Sequence, residues 1–472
     1  MSTHSENARQ WVHVGSGSFA LLLRVLPWWQ ATALAAVALV FNLVLLPRIG
    51  GRRLYRPADD ARGFPVGILL YPLSVLLLTL AFPSRLDIVA AAWGILAFGD
   101  GAATLVGRAT TLNAKAAKPA SFDRLSMSAL MVSLSNHAFP RHALPWNPEK
   151  TVAGTIAFIV FGALAGVGLA WWVRPAVSPL PPLTFTIVAP IVAALAAAFV
   201  ETIPVRLDDN ISVPVAAGAV LWVASLMTPV SLAAARDAVG PALPWAIGVN
   251  EVTATLGYLA KSVSGSGAIA GAVVGTIIYV GGGSGAWALL FATFLAASIT
   301  SRLGLKRKVL LGIAEERGGR RGAGNAIANC SVAAIAAIVA LSAPYTSAAL
   351  LALAAALTAG GSDTVASEIG KAWGRSTFLV TTFSRVKPGT PGAMSLEGTA
   401  AGLLAAFALA AVAVAVGLVP ASATLAVVAG AMAGALVESA LAATLEGPGI
   451  LNNDMLNFIT TAIAAVVALA MS

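Results

Sequence analysis

About fifteen apolar runs, each roughly 17–23 residues long, follow one another along this chain, which is long enough for each to cross a bilayer. In hydrocarbon every backbone N–H and C=O must find a partner within the protein, so only helices or a closed barrel can span. The runs are rich in Ala, Leu, Val and Gly and do not alternate, whereas barrel strands would alternate over about ten residues. The expected fold is therefore an all-α polytopic membrane protein with about 15 transmembrane helices in two tandem, distantly similar halves. The chain has 472 residues, of which 58% are hydrophobic and only 10% charged; a soluble protein carries roughly 25% charged residues. Spans are expected near 13–28, 30–47, 64–82, 87–107, 151–173, 184–203 and 211–229 in the first half. In the second half they fall near 243–260, 266–283, 285–301, 325–342, 345–361, 398–417, 421–445 and 455–471. Pro229 to Pro244 reads as the connection, which divides the chain into residues 1–235 and 236–472.

The net charge of +9 does not point to nucleic acid, because 22 of the 29 Lys and Arg fall in four loops, Arg48–Arg62, Arg108–Lys150, Arg302–Arg321 and Lys371–Lys387. Such clustering is the positive-inside signal, and no basic surface interleaved with aromatics accompanies it. Alternating the spans from a cytoplasmic N-terminus puts all four loops in the cytoplasm, which fits a bacterial inner membrane. Met1 to Gln10 is polar, so no removable signal peptide is expected. Cys330 is the only cysteine, which excludes an internal disulfide and a Cys-based metal site.

Acidic residues at the ends of apolar runs form a pattern that occurs twice. Ionised carboxylates are costly in lipid and usually mark function. The first copy runs Gly99-Asp100-Gly101, then Lys150-Thr151 with Gly154-Thr155, then Glu201, and closes on Asp208-Asp209-Asn210. The second has Asp363-Thr364 with Ser367 and Glu368, then Ser395-Leu396-Glu397-Gly398-Thr399, then Glu438, and ends Asn452-Asn453-Asp454. Asp100 and Gly154 are 54 residues apart, Asp363 and Gly398 only 35. The excess lies in 109–142, where Ser121 to His137 resembles a translated repetitive element; a disordered insertion with no catalytic role is expected there.

Carboxylates with an amide oxygen suit Mg²⁺, which takes oxygen ligands and keeps waters and phosphate oxygens. Asp100, Asp208 and Asp209 are the expected metal ligands of the first site, and Asp363 and Asp454 those of the second. Arg108 and Lys150 are phosphate partners by charge, and the helix start at Gly154-Thr155 offers amides to an anion. In the second copy Lys387-Pro388-Gly389-Thr390 leads into Ser395 and Gly398-Thr399, a plausible phosphate cradle that lacks the Walker spacing. Arg321, Asn325 and Asn329 either reach this second site or supply only inside charge and polar packing. An isolated intramembrane Asp can equally cap a helix or bond a neighbour, and Glu201 has the same alternative. His13 reads as a helix cap or interface residue, and no zinc-type histidine spacing occurs.

The segments Phe98-Gly99-Asp100-Gly101, Val106-Gly107-Arg108, Pro145 through Thr155, Glu201-Thr202-Ile203-Pro204 and Leu207-Asp208-Asp209-Asn210 resemble the phytol kinase family. That family stands with the dolichol kinases and the CTP-using phosphatidate cytidylyltransferases, which usually carry an acid where Ala153 stands, so the phytol kinase branch is nearer. The resemblance covers roughly residues 9–229 apart from the insertion. The second half resembles another group, domain of unknown function 92 or transmembrane protein 19-like, which includes plant phytyl-phosphate kinase. The segments that carry it are Gly265-Ser266-Gly267-Ala268, Arg321-Gly322 with Asn325 and Asn329, Ser362 through Gly370, Lys387 through Thr390, and Ser395 through Thr399. Pro391 and Ala393 stand where relatives more often carry Gly.

These resemblances imply a fusion of two consecutive kinases with cytoplasmic active sites. The first half would phosphorylate a long-chain isoprenoid alcohol such as phytol with CTP and Mg²⁺. The second half would convert the monophosphate to the diphosphate, the form used in prenyl transfer to tocopherol or a quinone. The competing expectations are a CTP-dependent lipid-phosphate cytidylyltransferase, which would release pyrophosphate, and a secondary transporter built from duplicated halves.

Overall fold

The computed structural model describes residues 6–49, 65–116, 143–144, 147–203, 208–310, 312, 320–447 and 450–472. It forms two compact units, Met1–Ser225 and Leu226–Ser472. Most of the expected insertion (117–142) and most of the first basic loop lie outside the described residues; 109–116 are the end of a helix.

The first unit contains α1 (Glu6–Ser16), a 3₁₀ stretch (Gly17–Arg24), α2 (Trp28–Val40), α3 (Val66–Ala81) and α4 (Leu86–Gly94). A wide π-type turn, Ile95–Asp100, leads from α4 into α5 (Gly101–Ala116). The strands β1 (Ala143–Leu144) and β2 (Asn147–Thr151) pair antiparallel, Ala143 opposite Thr151. Then come α6 (Val152–Val173), α7 (Leu183–Thr202) and α8 (Asp209–Leu226). The core sits on α4, where Val89 to Ala92 and Ile95 to Ala97 are wholly buried, against the Ala-lined face of α7 at Ala193, Ala194, Ala197 and Ala198. Helices in lipid gain nothing from hydrophobic exclusion between them, so association rests on close packing of small faces of this kind.

The second unit contains α9 (Pro229–Leu259), α10 (Gly265–Arg302), the short α11 (Leu305–Leu310), α12 (Ala323–Ser342) and α13 (Thr346–Trp373). An antiparallel pair follows, β3 (Thr377–Leu379) with β4 (Ala393–Ser395), in the register Thr377–Ser395, Phe378–Met394 and Leu379–Ala393. The unit closes with α14 (Leu396–Ala415), α15 (Thr424–Leu441) with a π-type extension Ala442–Glu446, and α16 (Asn453–Ala470). Helix α13 is the central pillar: every residue from Leu351 to Ser362 is buried. Helix α10 turns back on itself, because Gly283 takes φ 77° and breaks the run. Arg302 at its end donates from Nη2 to the Ala260 carbonyl (2.6 Å) and to Ser262 Oγ (3.1 Å), beside its own beginning. Two spans expected near 266–283 and 285–301 are thus two arms of one hairpin.

Among the described residues eleven helices are long and apolar enough to cross a membrane, and Val66–Ala81 is a shorter apolar one. The all-α polytopic class holds, while the count of about 15 differs for physical reasons. The 13–28 run becomes α1 and the 3₁₀ stretch, Val66–Ala81 is a shorter apolar helix, and the two arms of α10 are two spans joined at the Gly283 break. Pro229 to Pro244, expected as a connection, is the first half of α9. Thr228 caps it, its Oγ1 accepting from Ser231 N (3.1 Å), and Pro229 takes the first helical position, where its missing N–H costs nothing. The compact units meet at Ser225–Leu226, and the expected boundary at 235/236 falls inside α9.

Candidate functional site

In the first unit the π-type turn delivers Asp100 to the start of α5, buried at 8% exposure. Strand β2 is fixed by Asn147, whose Nδ2 donates to the Thr202 carbonyl (3.1 Å) and whose Oδ1 accepts from Glu149 N (3.1 Å). This aims Lys150 at two carboxylates: Nζ donates to Glu201 Oε1 (2.5 Å) and Asp209 Oδ2 (3.0 Å). Burial acts to lower the Lys150 pKa, but Asp209, Glu201 and the hydrogen bond to Glu201 outweigh it and hold the ammonium above its ordinary value. Asp100, Glu201 and Asp209 each place a carboxylate oxygen within 4.8 Å of the others. Thr151 caps α6 by accepting from Gly154 N (3.1 Å), and Thr155 Oγ1 donates back to the Thr151 carbonyl. Gly154 lies against α5: a Cβ there would stand 3.0 Å from the Ala103 carbonyl oxygen and 3.6 Å from Gly107 Cα. Glycine permits this approach without displacing its neighbour.

Three expectations shift here. Asp208 caps α8, its Oδ1 accepting from Asn210 N (3.0 Å) and Nδ2 (2.8 Å), so Glu201 rather than Asp208 completes the acidic triad. Lys150, expected on phosphate, sits among the carboxylates. His13, expected as a cap or interface residue, reaches Asp100 with Nε2 3.5 Å from Oδ2. Gly99 and Gly101 admit Phe158 and Val14 to the Asp100 turn, and Arg108 is exposed on α5. Arg9, which the sequence reading gave no role, lies by Gly67 and Asn210: a Gly67 Cβ would stand 3.3 Å from Arg9 Nη1 and from Asn210 Nδ2.

The second unit repeats the device. Asp363 and Gly370 stand seven residues apart on α13, as Asp100 and Gly107 do across the start of α5. Ser395 caps α14, its Oγ accepting from Gly398 N (3.0 Å). A Cβ at Gly398 would stand 2.6 Å from the Ala366 carbonyl oxygen and 3.1 Å from Gly370 Cα. These elements line an open polar cavity. Asp363, Ser367 and Lys371 reach it along one face of α13, at the helical spacing of four, with Gly389 and Thr390 from the hairpin and Ser395 and Thr399 from α14. Glu438, Glu446 and Asn453 complete the lining from the other helices. Asp363 and Glu438 line the cavity together, and Thr460 Oγ1 donates to Glu438 Oε2 (2.5 Å).

Several expected residues fall outside that lining. Glu368 is buried beneath it, ion-paired to Lys308 and to Lys371 (3.4 Å). Glu397 Oε1 accepts from Arg375 N (3.2 Å), Thr364 Oγ1 donates to the Gly360 carbonyl, and Lys387 is exposed on the loop. Asp454 stands in the first turn of α16, one residue beyond the lining Asn453. Arg321, Asn325 and Asn329 line a different cavity. The sequence reading gave no role to Lys308 or Lys371, because both sit in basic loops that read as inside charge. The signal available was the spacing of eight between Asp363 and Lys371.

Comparison with known proteins places the second unit. Residues 249–465 match the integral membrane protein family DUF92. Protein VTE6 of the Arabidopsis thaliana chloroplast is 37% identical over 221 residues, which is 45% of this chain and 66% of that protein, just under two thirds of its length. An uncharacterized Synechocystis membrane protein, sll0875, is 38% identical over 200 residues, 42% of this chain and 78% of that one. The uncharacterized Methanocaldococcus jannaschii membrane protein MJ0933 is 30% identical over 213 residues, 44% and 84% respectively. No solved structure matches the chain. Through its second unit, the chain belongs to the DUF92 family of integral membrane proteins.

Proposed function

We propose that the chain is a bifunctional CTP-dependent kinase, with the first unit phosphorylating an isoprenoid alcohol such as phytol and the second phosphorylating the resulting monophosphate. The observation that carries this reading is the recurrence, in each unit, of an acid seven residues before a glycine that packs on a capped helix start. The similarity of the second unit to VTE6 and the resemblance of the first-unit motifs to phytol kinases support an isoprenoid substrate, and that resemblance suggests CTP as donor.

In each transfer the acceptor oxygen, hydroxyl or monophosphate, attacks the terminal phosphorus of CTP. The bond from that phosphorus to the bridging oxygen breaks, and CDP leaves. When an alcohol attacks, its proton passes to a carboxylate; Asp100 fits this role in the first unit by position. In the second, Asp363 aligns the acceptor and Lys371 faces the phosphates. Such catalysis is chiefly positioning and neutralisation of moving charge. Mg²⁺ would be held by Asp100, Glu201 and Asp209 in the first unit and by Asp363 with Glu438 in the second, where it would screen triphosphate charge. The amides at the starts of α6 and α14 face the same anions.

Asp100→Asn and Asp363→Asn proteins, assayed with CTP labelled on its terminal phosphate and with phytol, test the assignment. The second variant should accumulate monophosphate and the first should make neither product from phytol. Diphosphate formed by either variant at the wild-type rate contradicts it, and release of pyrophosphate instead of CDP identifies a cytidylyltransferase.

A further inference from the structure

We infer that the apolar cavity of the DUF92 unit is the binding groove for the single isoprenoid chain of the phosphorylated substrate, and that it selects chain length. This rests on the kinase reading for the identity of the head group but not for the groove itself. The cavity lies between α9, both arms of α10, and α12, with Gly360 of α13 in its wall. Its two ends differ. One end carries Arg321 and Asn325 near the start of α12. The other carries Trp287, which donates from Nε1 to Asn250 Oδ1 (3.2 Å) and stacks on Phe291 at 5.3 Å. From Gly257 to Asn250 the wall covers seven residues of α9, a depth of about 10 Å at the helical rise. An apolar slot with one cationic end suits a lipid with one chain and an anionic head.

A chain of hydrogen bonds and ion pairs runs from the cationic end to the lining of the acidic cavity. Arg321 Nη2 donates to Ser301 Oγ (3.3 Å), and the Ser301 carbonyl accepts from Lys308 Nζ (2.8 Å). Lys308 pairs with buried Glu368, which pairs with Lys371 (3.4 Å) in the lining of the other cavity. Gly360 and Asp363, one turn apart on α13, belong to the walls of the two cavities. A chain seated in the apolar slot therefore presents its phosphate beside Asp363. The two cavities are the tail and head portions of one substrate site.

Gly271 gives the test its handle, since a Cβ there meets nothing within 4 Å and the residue lines the slot. Gly271→Phe should fill the slot without displacing the wall, and Gly271→Ala serves as the folding control. The full-length protein in liposomes would be given CTP and dimethylallyl, geranyl, farnesyl, geranylgeranyl or phytyl monophosphate. The Phe variant should lose geranylgeranyl and phytyl turnover by about tenfold or more relative to dimethylallyl. A farnesyl monophosphate with a terminal diazirine should crosslink to the segment 287–294 in wild type and not in the Phe variant. Equal loss for all chain lengths, unchanged preference, or crosslinks outside the slot overturn the groove. Equal crosslinking by a diacyl phosphatidate probe also overturns it, as a general lipid crevice. Crosslinks within the slot without turnover sustain the groove and sink the kinase reading; turnover with crosslinks elsewhere does the reverse.

Discussion

Lys308 is 1% exposed in a unit whose interior is mostly alanine and leucine, and it donates to two carbonyls and to Glu368. Removing one partner of a buried pair leaves the other uncompensated, so Lys308→Met should cost about 3 kcal/mol. Pairing it with Glu368→Leu should recover most of that loss, and thermal unfolding of the single and double variants in micelles measures both. Lys150 gives a pH prediction. Its folded pKa is raised, so its ionic contribution is complete below the ordinary lysine value of about 10.4 and is lost only as pH rises through the higher folded one. The activity ratio of wild type to Lys150→Met should therefore stay flat between about pH 6 and 9. A ratio that falls in that window would show that the ammonium titrates there.

At the scale of elements, the helix starts carry the sites. Thr151→Ala and Ser395→Ala each remove a cap and should cost about 1 kcal/mol, read from unfolding midpoints in detergent. Gly398→Ala should cost more than either, because its Cβ would lie 2.6 Å from a backbone oxygen that cannot rotate away. Much of this was legible: the paired acids, the Thr151–Gly154 and Ser395–Gly398 starts, and the two arms meeting at Gly283 all follow from residue order. The two-stranded hairpins were not, since strands of two to five residues leave no periodic trace. Arg321, Asn325 and Asn329 form a stripe at a spacing of four, but a sequence cannot say which cavity that stripe faces. Glu201 displaced Asp208 from the acidic triad because a residue at a helix start can turn inward or cap, and Asp208 caps.

At the scale of the whole molecule, each unit carries its own acidic cluster on its own helices. A sequential pair of kinases then makes a prediction about division of labour. Asp100→Asn and Asp363→Asn proteins placed in the same membrane should together convert phytol to its diphosphate, with labelled CTP reporting the product. Failure of the mixture, with each variant retaining its own half-reaction, would mean that the intermediate never leaves the chain that makes it. The seam where Gly398 meets Gly370, and its counterpart where Gly154 meets Gly107, has a bearing on descent. A methyl group on Gly398 would lie 2.6 Å from one backbone oxygen and a methyl group on Gly154 3.0 Å from another, so mutation has only a narrow route through these helix starts. Lipid-facing leucines a turn away are free to drift, and two units of shared ancestry would end as strangers in sequence with the same four glycines.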